Sequence, residues 1–155
     1  MKKQVNIDYT RFDDQKKVME QIIKDGACPF CVDIEKFNKN EIGVYHKKPI
    51  FKNGKYWLVT TNQWPYQNSK ISLLLIYKFH AEKMSEIKEG AGEEFFEMLK
   101  WIEKNFNHTN CGGAFTTRIG VPKKSGATVK HLHTQYVMIS KKGFKIKFSV
   151  KPIEK

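Results

Sequence analysis

Two histidines and a glutamine occupy alternate positions near the carboxyl end of the sequence, as His131, His133 and Gln135. Residues 128–139 are predicted to form a β-strand, and alternate residues of a strand point to the same face of a sheet. The three side chains are therefore expected to share one face. Two imidazoles and an amide make a poor apolar face and a good reactive one, so all three residues are candidates for catalysis. The alternative is that both histidines are solvated strand residues without a chemical role.

A turn of small residues, Ser125-Gly126-Ala127-Thr128, leads into this strand. Turns of this kind bring backbone N–H groups close to an anion, and Thr128 adds a hydroxyl. The sequence therefore predicts an anion site beside the histidines.

The segment 126–135 reads G-A-T-V-K-H-L-H-T-Q. It resembles the pattern G-[AQ]-[ST]-V-x-H-x-H-x-[HQ] of the histidine triad superfamily of nucleotidyl transferases and hydrolases. Its ending in Gln is similar to the branch that contains galactose-1-phosphate uridylyltransferase and the dinucleoside polyphosphate phosphorylases. The segment Asn62-Gln63-Trp64-Pro65 resembles the family's nucleoside-contacting [DN]-x-x-P. The resemblance covers roughly residues 28–140, within a single domain that we expect to span 1–155.

The resemblance implies a role for each residue of the motif. His133 would be the nucleophile that attacks the α-phosphate and forms a nucleotidyl-histidine, oriented by the backbone carbonyl of His131. A neutral imidazole suits this step because it needs no separate base. Gln135 would hydrogen-bond the phosphoryl oxygens. The implied substrate-binding residues are Asn62, Gly126, Ala127, Thr128 and Arg118, with Lys130 as a further candidate phosphate contact.

The sequence departs from the family pattern in one strand. The family's G-H-x-L-[VI]-x-P-x-x-H corresponds here to residues 71–80, in which Ser72 replaces the first His and Tyr77 replaces the Pro. The terminal His80 is retained.

Cysteines and histidines also suggest a metal site. Cys28 and Cys31 form a C-x-x-C, and with His80 and His131 they would make a Cys₂His₂ set for tetrahedral zinc. The resemblance implies the same site, because the transferase branch and some bacterial histidine triad proteins place zinc on matching residues. Four protein ligands leave no open position, so the role would be structural. The alternatives are free thiols, or a redox C-x-x-C, for which the βαβ context is missing.

The composition sets outer limits. The 155 residues, 40% of them apolar, suit one domain with a real core. The longest apolar run, 71–77, is far shorter than a membrane span, and no apolar stretch follows the first lysines as in a secretory signal. Three cysteines, an odd number, favour reduced thiols. We therefore expect a soluble, cytoplasmic protein. The net charge of +12 would attract polyanions, or simply reflect a lysine-rich surface.

The order of predicted elements indicates an α+β fold, with an antiparallel sheet of about five strands and two main helices. Helices are predicted at about 10–24 and at 84–106, the second weakened at Gly90 and Gly92. A tight turn is expected at 28–31, and a two-residue hairpin turn at Asn53-Gly54. Strands are expected near 42–45, on both sides of that turn, and at 71–77, 114–118, 128–139 and 144–150. His46 and His108 are expected on the surface, and Cys111 is expected to be a semi-buried thiol without function.

Two classes of function remain open. The first is a homodimeric enzyme that acts on nucleotides or dinucleoside polyphosphates through His133, as a transferase, phosphorylase or hydrolase. Gln135 cannot donate a proton as an imidazolium could, which favours phosphate-type leaving groups. A second possible enzyme is a nucleic-acid 5′-end deadenylase similar to the aprataxin branch. The other class is a zinc-stabilised nucleic-acid-binding module whose histidines are not catalytic.

Overall fold

The computed structural model describes residues 4–39, 41–106, 112–120 and 122–139. The strand predicted at 144–150 lies outside these ranges, as do His108 and Cys111. Within these ranges lie three helices of nine or more residues, α1 (Asp13–Asp25), α2 (Pro29–Phe37) and α3 (Ala91–Phe106), and a short α4 at Pro122–Ser125. The strands are β1 (Ile50–Asn53), β2 (Trp57–Thr61), β3 (Ser69–Tyr77), β4 (Gly113–Thr117) and β5 (His133–Ile139).

The five strands form one antiparallel sheet in the order β1-β2-β3-β5-β4. The predicted α+β class is therefore confirmed. β3 is the central strand and pairs with β5, so that Leu74 lies opposite Gln135 and Ile76 opposite His133. Among the described residues, no helix is both long and apolar enough to cross a membrane.

Each face of the sheet buries its own apolar cluster. One cluster joins Trp57, Leu75, Leu132 and Tyr136 to the apolar side of α3. The other joins Leu58, Leu74 and Ile76 to residues of α1 and α2, among them Met19, Ile22, Phe30 and Phe37. The alternation of β5 puts Tyr136 on the α3 side, and His133 and Gln135 on the side of α1 and α2.

The segment that follows α1 differs from the prediction. Cys28-Pro29-Phe30-Cys31 is the beginning of α2 rather than an isolated turn, with Cys28 as the N-cap and Pro29 in the first turn. Residues 42–45 do not form a strand. The side chain of Asp33, in α2, accepts hydrogen bonds from the backbone N–H groups of Val44, Tyr45 and His46. Those donors are consequently not available for pairing in the sheet.

The hairpin between β1 and β2 is present, but its turn is not the expected two-residue type. Gly54 does not have a positive φ. Its backbone instead approaches α3 so closely that a Cβ atom would collide with the side chains of Glu94 and Met98. The Glu94 carboxylate accepts the backbone N–H groups of Tyr56 and Trp57, each at 2.9 Å. The turn is therefore shaped by a contact with a distant helix.

Two further predictions concern the bounds of a helix and of a strand. The segment 84–106 is interrupted as anticipated: a 3₁₀ turn at Met84–Glu86 precedes α3, and Gly90 stands between them with φ of 78°. The strand predicted at 128–139 begins only at His133. The preceding residues cross to the amino-terminal segment, where Val129 bridges Val5 and the Lys130 N–H donates to the Gln4 carbonyl. His131 thus lies just before the strand.

Candidate functional site

A pocket opens on the side of the sheet that carries α1 and α2. β5 contributes His133 and Gln135 to its wall, the turn before β5 contributes Gly126 and Thr128, and the segment after β2 contributes Asn62. Most of the residues predicted to handle substrate are therefore gathered around one pocket. Further lining comes from the amino-terminal segment and α1, from α2, and from loops, namely Arg11, Gln15, Met19, Ile22, Pro29, Phe30, Asp33, Tyr45, His46, Gln63, Trp64 and Tyr66.

His133 is held in one orientation and one tautomer. Its Nδ1 lies 2.7 Å from the backbone carbonyl oxygen of His131. Because a carbonyl oxygen only accepts, Nδ1 carries the proton and Nε2 carries the lone pair. Within the described part of the chain, Nε2 makes no hydrogen bond. The Phe30 ring stands edge-on to His133 at 5.4 Å and fixes the plane of the imidazole.

The surroundings of His133 keep the ring neutral. The pKa of His133 is lowered to about 4, mainly by burial, with a smaller lowering from the nearby charge of Arg118, while the hydrogen bond to the His131 carbonyl acts in the opposite direction. A neutral imidazole with an available Nε2 is chemically competent to act as a nucleophile.

Gln135 and the turn before β5 lie beside His133. The Gln135 Oε1 is buried and has no hydrogen-bond partner in the described ranges. Such an atom is normally satisfied, so this oxygen is available to a ligand. Gly126 and Thr128 line the pocket. Ala127 is buried and does not line it, and its N–H donates to the Ser125 Oγ at 3.4 Å.

Asn62 is buried at the pocket wall, where its side-chain amide stabilises a local turn of the backbone. Its Oδ1 accepts the backbone N–H of Trp64 at 3.1 Å. The amide Nδ2 is therefore the group that Asn62 can offer to a ligand as a donor.

The two candidate phosphate-contacting cations differ in position. Arg118 Nη1 donates to the Ser125 carbonyl at 2.6 Å, and its charge is close enough to lower the pKa of His133. Neither cation lines the pocket, but the Lys130 Nζ is engaged in a 2.9 Å ion pair with Glu82. The structure thus gives no support to Lys130 as a phosphate contact.

The proposed metal ligands, Cys28, Cys31, His80 and His131, converge on one point, with all four ligand atoms within 4.8 Å of one another. The His131 Nδ1 lies 3.3 Å from the Cys28 Sγ and 3.6 Å from the Cys31 Sγ, and the His80 Nδ1 lies 3.4 Å from the Cys31 Sγ. Tetrahedral zinc with ordinary Zn–S and Zn–N bonds requires S···N separations of about 3.5 Å. The four side chains therefore fit such a metal.

A carbonyl oxygen fixes the orientation of His131 toward this cluster. The His131 Nε2 donates to the Tyr77 carbonyl at 2.7 Å, which leaves Nδ1 as the atom that faces the cysteines. The imidazole of His131 thus belongs to the cysteine cluster, while its backbone carbonyl orients His133.

His46 is a pocket residue that the sequence did not reveal as a functional candidate. The residue was expected on the surface, but it is only 4% exposed and lines the pocket. Its Nε2 lies 2.9 Å from the Thr60 Oγ1, whose hydroxyl donates to the Pro49 carbonyl, so Nε2 carries the proton. Burial lowers the pKa of His46 to about 4. No local signal marks it, because it lies in a lysine-rich stretch and its position depends on Asp33.

Comparisons with known proteins were made at the levels of sequence and structure. The sequence matches no protein-family model and no curated protein. Its structure resembles a hypothetical protein from Leishmania major, at 15% identity and a TM-score of 0.63, over 83% of this chain and 86% of that one. It also resembles a HIT family hydrolase from Clostridium thermocellum, at 22% identity and a TM-score of 0.54, over 76% and 96% of the two chains.

A third similar structure is a histidine triad nucleotide-binding protein from Candida albicans, at 18% identity and a TM-score of 0.50, over 83% of this chain and 87% of that one. These identities are low, so the likeness concerns the fold. The chain has the fold of the histidine triad proteins.

Proposed function

We propose that the protein is a nucleotide-binding enzyme of the histidine triad kind, which acts on nucleoside phosphates through a covalent nucleotidyl group on His133. The observation that carries this proposal is the hydrogen bond from the His133 Nδ1 to the His131 carbonyl, which leaves the Nε2 lone pair at the pocket. Two structural neighbours, a HIT family hydrolase and a histidine triad nucleotide-binding protein, support the same class.

The chemistry would proceed in two displacements. The His133 Nε2 attacks the α-phosphorus, an N–P bond forms, and the bond from phosphorus to the leaving oxygen breaks with its electron pair on that oxygen. An acceptor, either water or a phosphate, then attacks the same phosphorus and releases the imidazole. Hydrogen bonds from the Gln135 amide and the Thr128 hydroxyl would stabilise the phosphoryl oxygens in both steps.

The residue at 135 bears on the leaving group. An amide cannot supply a proton as an imidazolium can, so a leaving group that departs without protonation is favoured. Phosphate-type leaving groups satisfy this condition, and we therefore favour transfer or cleavage of nucleoside polyphosphates over hydrolysis of amine conjugates.

We also propose that Cys28, Cys31, His80 and His131 hold a structural zinc ion. When bound, the metal would supply a cross-link rather than reaction chemistry, since four protein ligands complete its tetrahedral shell. His131 links this site to the pocket, because the same residue presents the carbonyl that orients His133. The metal site would thus position the nucleophile indirectly.

A second candidate function follows from the net charge of +12. A zinc-stabilised nucleic-acid-binding module, or a deadenylase of nucleic-acid 5′ ends, would also use a basic surface. The geometry favours the nucleotide enzyme, because its candidate groups line a pocket with an oriented, neutral imidazole.

The direct test is turnover. Wild-type protein and His133→Ala would be incubated with a panel of nucleoside di- and triphosphates and dinucleoside polyphosphates, and the products would be separated by chromatography. We expect at least one substrate to be consumed by the wild type, and the variant to lose essentially all of that activity while its melting temperature stays within a few degrees. Retained activity in the variant would refute the nucleophile assignment.

A further inference from the structure

Nearly all of the basic residues in this chain are lysines. Its 28 Lys and Arg residues include only two arginines, Arg11 and Arg118, which are 107 positions apart. Both meet at Tyr66, a residue of the pocket lining. The Arg11 guanidinium lies over the Tyr66 ring with its carbon 4.1 Å from the ring centre, and the Arg118 Nη2 lies 3.2 Å from the Tyr66 hydroxyl.

Each guanidinium group also donates to a backbone carbonyl. Arg11 donates to the Trp64 carbonyl, two residues after Asn62. Arg118 donates to the Ser125 carbonyl, immediately before the turn that carries Gly126 and Thr128. The two arginines therefore contact two segments that contribute to the pocket wall, and Arg118, which does not itself line the pocket, is close enough to His133 to affect its pKa.

The charge of Arg11 is not balanced by an acidic side chain in the described part of the chain. Shielding from water lowers the pKa of Arg11 and the charge of Arg118 lowers it further, while Tyr66 raises it. Within the described ranges, no carboxylate forms an ion pair with Arg11. The nearby Asp14 carboxylate accepts the indole N–H of Trp64 at 2.8 Å instead. Two like charges beside one tyrosine repel each other, and a bound anion would relieve that repulsion.

We propose that Arg11 and Arg118 form an anion subsite for a phosphate group beyond the α-phosphorus, so that the substrate carries a phosphorylated leaving group. This inference rests on the proposed function. Guanidinium suits the task better than ammonium, because its planar fork can hold two phosphate oxygens at once. Both arginines of this lysine-rich chain lie at this one place, as expected if the subsite needs guanidinium groups.

The subsite would complete the first displacement. As the bond between the α-phosphorus and the bridging oxygen breaks, its electron pair adds negative charge to the departing phosphate. The Gln135 amide has no acidic proton to transfer to the leaving group, so the two guanidinium groups would balance that charge instead. Arg11 would thereby determine leaving-group specificity from a position outside the histidine motif.

The first test measures anion binding without catalysis. Inorganic tripolyphosphate would be titrated calorimetrically into wild-type protein, Arg11→Gln, Arg11→Lys and the matched control Lys16→Gln, which removes an exposed charge on α1. We expect Arg11→Gln to weaken binding about ten- to hundred-fold, as for loss of a charge-assisted hydrogen-bonded pair, and Arg11→Lys to weaken it less. The control should change it by less than about two-fold. Equal weakening in Lys16→Gln, or no weakening in Arg11→Gln, would overturn the proposal.

The second test asks whether the subsite faces the leaving group. For the base that the wild type prefers, kcat/KM would be compared on the nucleoside 5′-diphosphate and on the 5′-phosphoramidate, whose amine leaving group is uncharged. We expect Arg11→Gln to lose about ten-fold or more on the diphosphate and less than about three-fold on the phosphoramidate. Equal losses on both would make Arg11 a purely structural support of Trp64 and Tyr66. If the wild type consumes no compound of the nucleotide and dinucleotide panel, the proposed function fails, whereas the tripolyphosphate titration still decides the subsite.

Discussion

The imidazoles of His131 and His133 are two positions apart, and their hydrogen bonds divide their tasks. His131 donates from Nε2 to the Tyr77 carbonyl and turns Nδ1 to the cysteines, whereas His133 donates from Nδ1 and keeps Nε2 for the pocket. The two rings thus have opposite tautomers. Each tautomer is fixed by a backbone carbonyl, and this arrangement separates the proposed metal ligand from the proposed nucleophile.

The buried state of His46 leads to a prediction about how the free energy of unfolding depends on pH. Burial lowers its pKa to about 4 in the folded protein, and the charge of Lys48 contributes. In the unfolded chain an ordinary histidine has a pKa near 6.5. Below that value the unfolded chain binds a proton that the folded protein does not, so the free energy of unfolding falls as the pH decreases. The shift corresponds to a loss of roughly 2–3 kcal/mol between pH 7 and pH 4.5.

The variant His46→Gln isolates this contribution. Its amide can still donate to the Thr60 Oγ1 but does not titrate. Since His133 has a pKa shift of the same sign, only the difference between the two proteins is informative. Urea unfolding across the pH range should show the stability advantage of the wild type shrinking, or reversing, as the pH falls. A difference that does not vary with pH would contradict the buried, neutral state of His46.

At the scale of elements, the metal cluster joins three parts of the chain. Cys28 and Cys31 come from the beginning of α2, His80 follows β3, and His131 precedes β5. A bound ion would tie α2 to the edge of the pocket, where Phe30 packs against both His131 and His133. The free energy of metal binding would then add to the stability of the fold.

Zinc content is therefore expected to depend on His131 and not on His133. Purified protein should carry about one zinc ion per chain. Cys31→Ala and His131→Ala should each lose most of it, and their melting temperatures should fall by roughly 10 °C or more. His133→Ala is the matched control and should retain its metal. Elemental analysis of the variants would show this directly, and loss of zinc from both histidine variants, or from neither, would contradict the division of tasks.

The elements that could be predicted from the sequence are those with a local signal. The apolar run of β3 predicts a strand, and the amphipathic pattern of α3 predicts a helix. The break at Gly90 is visible as a glycine within a helical pattern. The alternation of His133 and Gln135 also placed both side chains on one face of β5, whereas His131, which was expected on the same face, lies before the strand and turns its imidazole to the cysteines.

The features that could not be predicted depend on distant side chains. The loop at 42–46 has strand-forming residues, but Asp33 takes its N–H groups. The turn at Gly54 has a hairpin sequence, but Glu94 determines its shape. His46 and Arg11 enter the pocket only because the chain folds over it. In each case a contact between residues far apart in sequence prevails over local propensity.

At the scale of the whole molecule, the charge of +12 permits two kinds of anionic partner. Binding to nucleic acid depends steeply on salt, because several phosphates release counterions together, whereas a nucleotide held in a pocket is less affected. We therefore expect turnover of nucleotides to persist at about 0.3 M KCl. An oligonucleotide of about 20 nucleotides should not inhibit the turnover of nucleotides at that salt concentration. Strong competition by the oligomer there would favour a nucleic-acid substrate.

The central claim is the covalent bond between phosphorus and His133, and denaturation in alkaline detergent after incubation with α-³²P-labelled nucleotides tests it most directly. Wild-type protein should retain a label that is stable to alkali and labile to acid, as a phosphoramidate bond requires. His133→Ala should retain none, and Gln135→Ala should show whether labelling survives without the amide. A labelled His133→Ala protein, or a wild type that turns over substrate without ever becoming labelled, would contradict the account.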